Sequence, residues 1–134
     1  MLTRFEEYNY LLERSRRFLE TAEMQFERGF HDLAVFSLEQ ALQIYLQACL
    51  LKLGVDYPRT HSVRKLLELT YKLTGAEEIK RILTDYAVEL GSLEDAYITS
   101  RYVAREYSGE EAGRLRQVVK RLMEVVGGVV NRGG

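Results

Sequence analysis

The chain has 134 residues, 46% of them apolar and 29% charged, and a net charge of -1. A chain of this size buries roughly two thirds of its unfolded surface, so it needs neither disulfide nor metal to hold a core. The near balance of charge excludes a histone-like basic protein and an acidic tail, and the lone Cys49 excludes both a disulfide framework and a Cys-rich zinc site.

Residues 1–134 read as a single domain without repeat, low-complexity tract or interdomain linker. No apolar run reaches the roughly 18 residues of a membrane span. The first residues carry acids, Glu6 and Glu7, where a secretory leader is apolar. The expectation is a cytoplasmic protein that makes no membrane contact. Sixteen of the twenty acids are Glu and fourteen of the nineteen bases are Arg, both good helix formers.

The spacing of Phe5, Tyr8, Leu12, Ser15, Leu19, Ala22 and Phe26 alternates 3 and 4, which predicts a helix from about Thr3 to Arg28. Thr3 and Glu6 form a capping box at its start, and Gly29 is its stop. A second helix is predicted from His31 to Leu53, ended by Gly54. It is apolar on more than one face, so it is central or also lines a subunit interface. Pro58 lies in the loop that follows, and Thr60 is the expected cap of a third helix from His61 to Leu73, closed by Gly75.

A fourth helix is expected over 76–90, interrupted by Gly91-Ser92, with a short resumption over 93–100. Residues 101–109 read as a loop, and a last helix from Glu110 to about Val130 leaves 131–134 frayed. The fold class is therefore all-α, an antiparallel up-and-down bundle of four to five helices.

Charge is uneven along the chain. Residues 59–72 and 101–121 each carry a net +3, against -3 over 1–58 and -4 over 73–100. Each positive stretch lies where a helix begins, and helix N-termini attract anions. If the two stretches meet, they make a phosphate-sized site; the bland alternative is two solvated helix faces.

Catalytic motifs are sparse. His31 and His61 are the only histidines, and neither has a metal-ligating partner one helical turn away. No phosphate-cradling glycine loop, zinc-protease or nucleophile-elbow motif is present, and no cofactor is implied. The acid pairs Glu77-Glu78 and Glu110-Glu111 sit where helices start and read as caps. Cys49 falls on a buried stripe and reads as core. His61 has two readings, a structural loop contact or an exposed imidazole that meets a phosphate or proton. Tyr97, Tyr102 and Tyr107 bracket Arg101 and Arg105, the residue types of interfaces and base-stacking surfaces.

Three stretches in order resemble one known family. Gly29 to Ala41, read Gly-Phe-His-Asp-Leu-Ala-Val-Phe-Ser-Leu-Glu-Gln-Ala, is similar to the G-x-x-x-x-A-x-F-x-x-Q-Q-A signature of HEPN domains. Pro58-Arg59-Thr60-His61-Ser62-Val63 is similar to that family's P-x-T-H-[DS]-L turn. Tyr97 to Tyr102 resembles its A-R-Y-P element, with Val103 in place of the proline.

The resemblance implies a helical bundle, usually a homodimer, often beside a minimal nucleotidyltransferase in a toxin–antitoxin-like pair. It also implies nucleotide binding in some members and metal-independent ribonuclease activity in others. The ribonuclease branch carries Arg followed by His after four to six intervening residues, and no Arg here has a His at that spacing. The resulting expectation is a module that homodimerises, binds a nucleotide, RNA or phosphate ligand through His61, Arg101, Tyr102 and Arg105, and partners a nucleotidyltransferase, rather than an enzyme. The alternatives are a ribonuclease using His61 with Arg101 or Arg59, and a helical interaction protein without ligand.

Overall fold

The computed structural model describes residues 1–102 and 105–132, the side chains of positions 100–102 excepted. Among the described residues six helices follow in order: α1 (Arg4–Glu27), α2 (His31–Lys52), α3 (Val63–Thr74), α4 (Glu77–Asp85), α5 (Ala87–Tyr102) and α6 (Gly109–Arg132). Among the described residues there is no strand.

α2 is the axis of the bundle. α1, α3, α5 and α6 all pack on it, and Leu38, Leu42, Leu46 and Leu50 are fully enclosed. Its near-continuous apolar surface follows from having neighbours on every side. Among the described residues it is also the one helix long and apolar enough to cross a membrane, yet 72% of its most apolar window is buried inside the bundle. α1 lies close against α2 because Ser15 and Ala41 are small where the two meet, and the Ser15 hydroxyl donates to the Ala41 carbonyl at 2.7 Å. Cys49 is buried in this core, and burial pushes its thiol up to about 12.

The capping box on α1 forms as the sequence reads. Glu6 N–H donates to Thr3 Oγ1 at 3.1 Å, and Thr3 N–H to Glu6 Oε1 at 3.2 Å. Phe5 departs from the expected buried stripe and is 73% exposed. Tyr8, one turn later, already lies beneath the Lys52 ammonium at the last residue of α2, so the first turn of α1 overhangs the end of its partner.

Four boundaries differ from expectation. α3 starts at Val63, not His61, because Ser62 is its cap: Ser62 Oγ accepts from Lys65 N–H at 3.1 Å and donates to Glu94 Oε1 at 2.7 Å. Thr60 instead accepts the Ser62 N–H and shapes the loop, leaving His61 outside the helix.

The break expected at Gly91-Ser92 lies at Tyr86, and Gly91 is inside α5, which brings the helix count to six. The stripe Ile79, Ile82, Tyr86, Leu90, Leu93 keeps helical spacing straight through the break. What turns the chain is tertiary: α4 docks on α3 and α6, whereas α5 docks on α2 and α3. Lastly, α5 continues through Tyr102, into the stretch expected as loop, and Asn131 and Arg132 are helical rather than frayed. Asn131 bonds the Lys52 ammonium and Arg132 pairs with Glu78 at 2.6 Å.

Candidate ligand site beside His61

His61 is held on two sides although its ring is exposed. It stacks on Tyr97 of α5 with ring centroids 4.3 Å apart and planes 19° from parallel. Its Nδ1 faces Gln43 Oε1 of α2 at 3.3 Å.

Gln43 in turn donates to Glu39 Oε2 at 2.8 Å, and Gln40 donates to Glu39 Oε1 at 2.7 Å. Glu39 is 0% exposed and Gln43 5%. A carboxylate inside a bundle is costly unless donors meet it, and these two amides do so from its own helix. Pro58 and Thr60 set the loop that brings His61 over this polar insert.

The sequence reading singled out His61 but missed Glu39 and Gln43. Their signal is present in the chain: acid and amide side chains on the most apolar helix, spaced one turn apart.

The neighbouring charges are largely engaged. Glu94 of α5 accepts from the Ser62 hydroxyl and from Arg64 N–H at 3.1 Å, so it occupies the N-terminus of α3. The Arg64 guanidinium donates to the Ala87 carbonyl at 3.1 Å. At the start of α6 a second capping box closes, Ser108 N–H to Glu111 Oε1 and Glu111 N–H to Ser108 Oγ. Both helix starts that the charge pattern offered to an anion are thus filled by the chain's own carboxylates.

Within the second positive stretch three cations are paired. Arg114 pairs with Glu89 at 2.9 Å, and Arg116 and Lys120 reach Glu23 at 2.7 and 2.9 Å. Those two cations hold the Glu23 carboxyl below its ordinary range, chiefly through the Arg116 hydrogen bond.

Of the four expected ligand contacts, His61 is placed as described. Arg105 lies over the Tyr107 ring at 4.1 Å, donates to the Tyr107 hydroxyl at 3.0 Å and pairs with Glu111 at 3.1 Å. It therefore ties the loop ahead of α6 to that helix. Positions 101 and 102 are on the α5 backbone, four and five residues after Tyr97; the side chains of Arg101 and Tyr102 lie outside the described residues, as does Val103. Among the described residues no group of His, Cys, Asp and Glu could hold a metal ion.

The HEPN domain family model matches residues 8–129 of the chain. No curated protein matches it.

Proposed function

The chain belongs to the HEPN domain family, and from that premise we propose that it is a binding module rather than a catalyst. It takes a nucleotide or another phosphate-bearing ligand beside His61. The observation that carries this reading is the exposed His61 ring, stacked on Tyr97 and anchored to Gln43. Its outer face is open to a base, the use to which aromatic and imidazole rings are put in RNA-binding sites. Arg101 and Tyr102, on the next turn of the same helix, are the proposed phosphate and stacking partners. Arg105 joins them only by giving up its pair with Glu111.

In this reading two copies associate, and the pair works beside a nucleotidyltransferase as a toxin–antitoxin-like unit. α5 leaves Val88 79% and Ile98 54% exposed, apolar surface that a second copy would cover.

The test is a melting series against nucleotides and short RNAs. A ligand at a hundred times its dissociation constant adds about 2.7 kcal/mol, so a true ligand raises the melting temperature by several degrees. The shift should vanish in Arg101→Ala and in His61→Ala. No shift with any nucleotide or RNA refutes the ligand reading. A monomer at tens of micromolar in light scattering refutes the homodimer.

A further inference from the structure

Gln43 joins an enclosed carboxylate to an exposed imidazole, and this has a consequence for the imidazole. A carboxylate only accepts hydrogen bonds, so both amides that meet Glu39 must turn their NH2 groups toward it. For Gln43 that leaves its carbonyl oxygen facing His61. An amide oxygen also only accepts, so the His61 nitrogen opposite it must carry the proton.

We propose that Glu39 and Gln43 are positioning residues that lock neutral His61 in its Nδ1–H tautomer. Nε2 is then the ligand-facing nitrogen and carries a lone pair. The group it takes is a hydrogen-bond donor, a hydroxyl or amino group of a nucleoside, rather than a bare phosphate oxygen. Tyr97 fixes the plane of the ring from one side, and a base lies against the other. Among the described residues Nε2 makes no hydrogen bond. The ligand half of this proposal rests on the reading of His61 as a ligand contact; the tautomer half does not.

The experiment is side-chain 15N NMR of the full chain at about pH 8, above the ordinary imidazole value of about 6.5. The His61 signals are assigned by their loss in His61→Gln, with His31 as internal reference. Wild type should show one tautomer, protonated at Nδ1. In Gln43→Leu and in the isosteric Glu39→Gln the preference should collapse toward a mixture of the two forms, while melting shows that the fold persists. A wild-type ring protonated at Nε2 overturns the proposal, as does a tautomer unchanged in both variants. Should either variant fail to fold, the wild-type tautomer still decides.

Adenosine and inorganic phosphate are then titrated separately. Adenosine should move His61 Nε2 and phosphate should not. Phosphate acting alone overturns the ligand class. Silence from both overturns the ligand half, and the melting series with nucleotides and RNA decides separately whether the functional reading stands.

Discussion

Replacing Ser15 tests whether α1 lies as close to α2 as described. Ser15 is 1% exposed, and its hydroxyl donates to the Ala41 carbonyl across the interface. That carbonyl sits inside α2 and also accepts from its own helix, so losing the serine orphans no buried group. Ser15→Ala therefore forgoes one net hydrogen bond of about 1 kcal/mol and recovers a few tenths in helix propensity. Ser15→Leu inserts a branched chain where two backbones approach, and overpacking of this kind costs about 1–3 kcal/mol beyond the lost bond.

At roughly 2.1 cal/mol/K of unfolding entropy per residue, a chain of 134 residues loses about 3.5 °C of melting temperature per kcal/mol. The expected drops are about 3 °C or less for Ser15→Ala and about 7–14 °C for Ser15→Leu. Thermal melting followed by circular dichroism reads both drops, and urea unfolding at unchanged m checks the free energies behind them. If the leucine variant melts within 3 °C of wild type, the close approach of α1 and α2 is wrong, and with it the account of why Ser15 is on the buried stripe.

Four further outcomes are expected. Glu23 has a folded-state value below its unfolded one, so its pairing with Arg116 and Lys120 stabilises above the unfolded value of about 4.3 and is lost as pH falls through the lower folded value; Glu23→Gln should flatten the acid limb of a melting-temperature profile. Gly75 closes α3 at φ 65°, and Gly75→Ala should cost about 1 kcal/mol in urea unfolding because a Cβ is strained there. Iodoacetamide at pH near 8 should leave Cys49 unmodified in the folded chain and alkylate it once urea unfolds the bundle, since the thiol is enclosed and pushed up to about 12. RNA incubated with the protein in EDTA should stay intact; cleavage that His61→Ala abolishes would replace the binding module with a ribonuclease.

Element type and order were legible because they rest on local spacing. The alternating threes and fours of α1, the Thr3–Glu6 box and the left-handed Gly29, Gly54 and Gly75 each act within a few residues. Boundaries decided by distant partners were not legible. Thr60 looks like a better cap than Ser62 until Glu94, 32 residues on, receives the Ser62 hydroxyl. The turn at Tyr86 leaves no mark in a stripe that runs through it unbroken. The surroundings of the two basic stretches were hidden in the same way: Glu94 and Glu111 fill the starts of α3 and α6, and Glu89 and Glu23 pair with Arg114, Arg116 and Lys120, all through partners that no local charge count shows.

The amino-acid order by itself determined that this is an all-helical chain of the HEPN kind, with α2 at its centre. Periodicity and capping are short-range, and a helix apolar on more than one face needs neighbours on more than one side. Only the tertiary structure decided that His61 is a loop residue lying on Tyr97 and tied to the enclosed Glu39 through Gln43. Those four residues come from α2, the following loop and α5. No local pattern encodes their meeting, because it follows from how the helices bury their apolar faces against one another.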